Sequence, residues 1–366
     1  LWLAKEGRPG PVVIDIPDDI QRADVDPAAL RHFEALESEI ENHGVPHMIA
    51  KRPVIALGWG VHLAGARKEA WDMVTRIGAP CVTTWGAAAV MVGHPLYVGT
   101  WGPHGVRAAN FAIQKADLVV AIGTRLDTKA TGSPASSFAP NAELVMVDID
   151  GAELDKMAKI GRPCRTFRND AKGFMQALDI TGDFLPWNAQ IAGWQRDYPA
   201  VLPEYGPENP YRVMQELGKY LTADDVVVSD TGCPLAWAMQ VLPFKGRFIH
   251  AFNQTPMGSG LGAAIGAAGE HKGRVILITG DGGLSECITE FATIRKHSLN
   301  IRTILFNNQG HAMCRQTQKQ WLGGVYHGTS SKDLAPPNFP EVALAYGITV
   351  VRTMEQLFAV NAPAFL

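Results

Sequence analysis

The sequence predicts an α/β protein built from two doubly wound parallel-sheet domains, and three observations predict it. Short apolar runs, such as those at 118–122 and 275–279, alternate with longer stretches of helical period. That alternation belongs to a parallel sheet covered on both faces. Several runs end in glycine-rich loops, Gly58-Trp59-Gly60 and Gly280-Asp281-Gly282-Gly283 among them. The 366 residues, 46% hydrophobic and 19% charged, are enough for two cores if each domain takes ~150 residues.

In chain order, residues 1–5 read as the last turn of a helix, broken by Gly7-Arg8-Pro9-Gly10-Pro11. Residues 12–16 (Val-Val-Ile-Asp-Ile) read as a buried strand, and a strand that apolar needs sheet neighbours. Residues 18–50 are polar and proline-punctuated, a linker with some helix. Strands are expected at 53–57, 81–84, 118–122 and 144–148, with a helix over 63–77 placing Leu63, Ala66, Ala70, Met73 and Val74 on one face. A second linker, rich in Trp, Pro and Tyr, is expected from 185 to 207. Asn209-Pro210 supplies an N-cap and first-turn proline. Strands follow at 226–230, 275–279, 303–306 and 348–351, and another opens at 363–366.

The balance of 33 basic and 36 acidic residues lacks the basic excess of a nucleic-acid binder. No apolar run reaches spanning length, and five scattered cysteines without a C-x-x-C pair fit a reducing, cytoplasmic setting.

The chemistry concentrates between Gly280 and Gly310. One strand delivers Gly280-Asp281-Gly282-Gly283; after a helix, the next delivers Asn307-Asn308-Gln309-Gly310. A right-handed crossover brings both loops to one edge of the sheet, and strands that are neighbours lie ~5 Å apart. A carboxylate and an amide oxygen then converge, a donor set for Mg²⁺ with phosphate oxygens completing the octahedron. The helix start adds N–H donors for a diphosphate. Taken singly, each segment also reads as a tight turn; the pairing on consecutive strands favours the site.

These segments resemble the thiamine-diphosphate motif of the acetolactate synthase family, and other segments agree. Gly10 to Pro17 is similar to the end of that family's pyrimidine-binding domain. His104-Gly105, Gly123-Thr124-Arg125-Leu126-Asp127 and Val147-Asp148-Ile149-Asp150 resemble its central domain, and Met257-Gly258-x-Gly260 its cofactor-wedging segment. The resemblance implies a tail of the pyrimidine domain at 1–20, a linker at 21–50, a central FAD-type domain at 51–182, a linker at 183–207, and a thiamine-diphosphate domain at 208–366. It implies Mg²⁺ on Asp281, Asn308 and the Gly310 carbonyl, and the diphosphate on Gly232, Gly280, Gly282, Gly283, Gly310 and His311. Met257 would hold the cofactor bent, and Met313 would lie over the pocket. FAD in the central domain would meet Gly58, Gly60, Thr83, His104, Gly123, Arg125, Asp127 and Asp148. Lys129 stands where the family usually has arginine, so ADP or an empty site remains an alternative to FAD.

The implied activity is acetolactate synthase-like: a 2-keto acid such as pyruvate is decarboxylated and the remainder joined to a second carbonyl, in branched-chain amino acid biosynthesis. A homodimer or tetramer is implied, with a regulatory subunit as a further partner. The family's activating glutamate belongs to the pyrimidine-binding domain, so these residues alone are expected to be catalytically inert. Cys233-Pro234 replace the family's Gln-His, and Trp321 lies four residues beyond the usual Gln-Trp position. Both departures leave open a carboligase or decarboxylase with another acceptor. Two other readings stay open at this point: an NAD-dependent dehydrogenase, from Gly260-x-Gly262-x-x-x-Gly266, and an inactive binding module.

Overall fold

The structure, a computed structural model, describes all residues except 36–43, 159–162, 245, 252–253 and 361–362. In chain order the strands of the first half are β1 (His47–Ile49), β2 (Pro53–Leu57), β3 (Cys81–Thr83), β4 (Tyr97–Thr100), β5 (Leu118–Ile122), β6 (Glu143–Asp148), β7 (Arg165–Arg168) and β8 (Asp179–Thr181). Those of the second half are β9 (Val226–Ser229), β10 (Arg247–Ile249), β11 (Val275–Gly280), β12 (Ile301–Phe306), β13 (Thr349–Val350) and β14 (Ala364–Phe365).

Among the described residues two six-stranded sheets result, in the orders β4-β3-β2-β5-β6-β7 and β10-β9-β11-β12-β14-β13, and β1 pairs with β8 alone. Every pairing is parallel. In each large sheet the chain winds one way from a central strand and then crosses back to wind the other way, which is the doubly wound architecture expected. Alternation along β2 explains why both faces are covered: Ile55 and Leu57 pack with Met73 and Phe174, while Val54 and Ala56 face Ala112, Ile113 and Trp187.

Four expectations need correction. Residues 12–16 form no strand. Val13 is 91% and Ile14 66% exposed, because no described strand lies beside them. Residues 1–5 make a hydrogen-bonded turn and no helix. The helix over 63–77 is two helices, Trp59–Leu63 and Arg67–Ile77, parted at Gly65; Ala66, Ala70, Met73 and Val74 are buried but Leu63 is exposed. The supposed linker from 185 carries the helix Leu185–Asp197, which buries Trp187 and Ile191 against the central sheet. Pro186 in its first turn and the spread of its aromatics hid it.

The Asn209 cap is present, its side chain accepting from the Tyr211 N–H. At the base of the second sheet the Arg274 guanidinium grips the nearly buried Asp225 with two bonds of 2.7 Å, joining the entries to β9 and β11.

The Trp187 indole donates to the Pro53 carbonyl at 3.0 Å, pinning its helix to β2. Trp187→Ala should cost ~3–5 kcal/mol in a urea melt, and Trp187→Phe about 1 kcal/mol for the lost hydrogen bond.

Candidate functional site

β2 and β5 are neighbours although the chain leaves β2 outward, and β9 and β11 stand in the same relation. Such switch points open crevices at the carboxyl ends of strands. At the first, the Gly58 N–H donates to the Ile122 carbonyl and the Gly60 N–H to the Gly123 carbonyl, both at 2.9 Å. A Cβ on Gly58 would lie 2.2 Å from the Gly123 oxygen, and one on Gly60 2.7 Å from the Gly123 Cα. The approach of the two loops to each other is by itself enough to require both glycines.

Beyond them opens a cavity of about 690 Å³ that reaches from one sheet to the other. Gly60, His104, Gly123, Arg125, Asp127 and Asp148 line it from the central sheet, and Gly232 and Met313 from the second sheet. Gly58 does not line it. Neither does Thr83, whose buried hydroxyl bonds the Tyr97 hydroxyl at 2.8 Å; the next residue, Thr84, faces the cavity instead.

Asp127 caps the turn Thr128–Thr131 through the Lys129 and Ala130 N–H groups and pairs with Arg125 at 3.1 Å. Burial pushes the Asp148 carboxyl above the usual range. Burial, with Lys129 adding to it, pushes the His104 imidazole down. The Trp101 indole N–H, on the cavity wall, has no hydrogen-bond partner among the described residues. Gln240, in the helix Cys233–Val241, joins the second half to the first by donating to the His104 carbonyl at 2.8 Å, and it accepts from the Tyr211 hydroxyl at 3.0 Å.

At the second switch point, β11 and β12 run in register to their ends, with Gly280 opposite Phe306. The two loops therefore emerge side by side. Asp281 is 3% exposed, and its Oδ2 accepts from the Gly310 N–H at 2.8 Å. Among the described residues that is the only hydrogen bond to its carboxylate, so Oδ1 is left for another partner. Asn308 is exposed two residues before Gly310 on the same loop. A buried carboxylate with an unclaimed oxygen, beside an amide and backbone carbonyls, fits a hard cation.

Around it a Cβ on Gly282 would lie 2.5 Å from the His311 Nδ1 and 3.0 Å from the Met257 Cε, so Gly282, His311 and Met257 stand together. Gly280 closes β11, Gly283 follows Gly282 in the helix Asp281–Ser285, and Gly232 stands before the helix Cys233–Val241. The glycines at 260, 262 and 266 lie inside the helix Ser259–Glu270, not in the strand-to-helix loop of a dinucleotide fingerprint.

Sequence reasoning missed Asp230, His250 and Gln240. Asp230, 1% exposed, follows β9 just as Asp281 follows β11. That shared position directly after a strand was the available signal.

Residues 48–178 match the family described as "Thiamine pyrophosphate enzyme, central domain", and residues 230–364 match "Thiamine pyrophosphate enzyme, C-terminal TPP binding domain". The acetolactate synthase large subunit of Lactococcus lactis is 31% identical over 371 residues, covering 96% of this chain and 63% of that protein. The isozyme 2 large subunit of Escherichia coli is 33% identical over 366 residues, covering 94% of this chain and 64% of that protein. The probable acetolactate synthase large subunit of Methanocaldococcus jannaschii is 30% identical over 381 residues, covering 96% and 63%. The chain spans less than two thirds of the length of these relatives. No helix among the described residues is long and apolar enough to cross a membrane.

His250 gives a pH test of the cavity wall. Burial lowers its imidazole from 6.5 to about 4, against a hydrogen bond with the Trp85 backbone that acts to raise it. The unfolded chain takes up the proton near 6.5 and the folded chain near 4. The stability from the neutral ring is therefore complete above that window and lost as pH falls through it. The melting temperature of the wild type should fall more steeply across this window than that of His250→Phe; parallel curves would contradict the assignment.

Proposed function

Since the chain belongs to the thiamine pyrophosphate enzymes, we propose that it forms the central and diphosphate-binding domains of an acetolactate synthase-type carboligase. Such an enzyme decarboxylates pyruvate or another 2-keto acid and joins the remaining fragment to a second keto acid, a step of branched-chain amino acid biosynthesis in the cytoplasm. On this reading residues 51–182 are the central domain and 208–366 the thiamine-diphosphate domain. The observation that carries the reading is Asp281, buried at the shared edge of β11 and β12 with one carboxylate oxygen held by Gly310 and the other unclaimed.

Oδ1 of Asp281, the Asn308 side chain and the Gly310 carbonyl would hold Mg²⁺. Gly232, Gly280, Gly282, Gly283 and His311 would receive the diphosphate, neutralised by the metal and by backbone N–H groups at helix starts. Bound thiamine diphosphate supplies an electron sink for decarboxylation and carbon–carbon bond formation. The protein's own task is to bind and orient it. Met257, 39% exposed beside Gly282, offers an unbranched, polarizable side chain to the cofactor's rings. Met313 lines the cavity and would border the substrate.

The 690 Å³ cavity lies within the 300–1,000 Å³ usual for cofactor pockets. Arg125 and Lys129 supply positive charge for phosphates, and Asp148 and the Trp101 N–H supply polar contacts for a nucleotide such as FAD or ADP. Names of relatives as large subunits support assembly with a regulatory subunit, and a homodimer or tetramer is proposed from the family resemblance alone. One observation favours a different acceptor from the family's usual one: Trp321 is 79% exposed and lies outside the cavity wall.

Calorimetry tests the assignment. Thiamine diphosphate should bind with Mg²⁺ and not after chelation, and NADH should not bind. Asp281→Ala should weaken binding by about a hundredfold or more, since even outer partners of a metal cost ~10–100-fold. For the full protein with pyruvate, formation of acetolactate supports the leading reading, and its absence despite cofactor binding supports the other acceptor.

A further inference from the structure

We propose that Asp230 is a positioning residue that fixes the Met257–Gly258 turn against the Gly280–Gly283 loop, and so sets the distance between the ring-contacting and metal-holding parts of the cofactor site. The inference rests on the thiamine-diphosphate reading above and assigns a role to a residue outside the expected binding set.

Asp230 follows the end of β9, at the bottom of the crevice between β9 and β11, and is 1% exposed. An isolated carboxylate there would be costly to bury. Donors meet both of its oxygens: the Thr231 N–H at 2.7 Å on Oδ1, and on Oδ2 the Gly258 N–H at 3.1 Å and the Thr279 hydroxyl at 3.3 Å. They come from three chain segments: the residue after Asp230 itself, the turn before the helix Ser259–Glu270, and the last part of β11.

That helix has no side-chain cap of its own; Gly258 stands at its N-cap. Asp230 supplies from across the crevice the negative charge that a helix start attracts. On its other side the carboxylate presses on the metal-bearing loop. A Cβ on Gly283 would lie 2.4 Å from Oδ2, and one on Gly260 2.8 Å from the Asp230 Cβ. Met257 immediately precedes the gripped Gly258, and its Cε reaches the Gly282 position. One carboxylate therefore spaces two loops that approach thiamine diphosphate from different directions.

The test compares two ligands on the full chain with saturating Mg²⁺: thiamine diphosphate, and inorganic pyrophosphate, which has no rings for Met257 to meet. Asp230→Asn keeps the size but replaces one acceptor by a donor that faces an N–H group. It should weaken thiamine diphosphate about tenfold or more while changing pyrophosphate by less than about twofold, from the cost of a lost charged hydrogen bond. Thr279→Val, which removes only the hydroxyl donor, should shift in the same direction by about threefold on thiamine diphosphate alone, and it carries the test if Asp230→Asn does not fold. Equal weakening of both ligands, or of neither, overturns the positioning role, because a merely structural residue has no reason to distinguish them. Wild-type protein that binds pyrophosphate but not thiamine diphosphate refutes the cofactor assignment itself, and the inference with it.

Discussion

The parallel pairing of β11 and β12, held in register over six residue pairs from Val275↔Ile301 to Gly280↔Phe306, governs the candidate site. Parallel strands joined by a right-handed crossover release both of their following loops on one edge. Because the register runs to the last residue of each strand, Asp281 and the Asn307–Gly310 loop start level with each other. The bond from the Gly310 N–H to Asp281 records that alignment. A one-residue slip would turn each side chain to the opposite face and part the carboxylate from its partner loop.

Everything else around the site serves to bring further segments to that edge. The switch between β9 and β11 opens the crevice in which Asp230 sits, and Asp230 draws in the start of the helix Ser259–Glu270. The central sheet repeats the arrangement at β2 and β5, where bare glycine backbone lets two loops touch. The sheets are then tied by Gln240 to the His104 carbonyl and by the Thr100 hydroxyl to the Met239 carbonyl at 3.2 Å. The cavity lies where the two sheets meet. Its walls come from both sheets, with Gly232 on one side and Arg125 on the other.

The inner strands were legible because burial on both faces demands unbroken apolar runs; β2, β5, β11 and the core of β12 all carry one. The outer strands β7 and β10 escaped for the opposite reason. β7 reads Arg-Thr-Phe-Arg and is largely exposed, and β10 is three residues long, so neither stands out from a loop. The run at 12–16 shows the limit of the same rule, since apolar character makes a strand only when a neighbour is available to pair with it. At the site, Asp281 and Asn308 were legible because a carboxylate and an amide that close consecutive strands of one crossover must emerge at the same sheet edge. Thr83 was misplaced by one residue, which in a strand is the difference between a side chain packed on Tyr97 and one facing the cavity. Asp230 was invisible because its partners, Gly258 and Thr279, are 28 and 49 residues away and only the fold unites them.

The edge shared by β11 and β12 is, on this account, a metal–diphosphate site. Its most direct test is a crystal structure of the chain grown with thiamine diphosphate and Mn²⁺, with data collected at the manganese absorption edge. The expected result is one anomalous peak between the Asp281 carboxylate, the Asn308 side chain and the Gly310 carbonyl, with the diphosphate completing the coordination. A peak elsewhere, or thiamine diphosphate seated in the central cavity without a metal at Asp281, would contradict it.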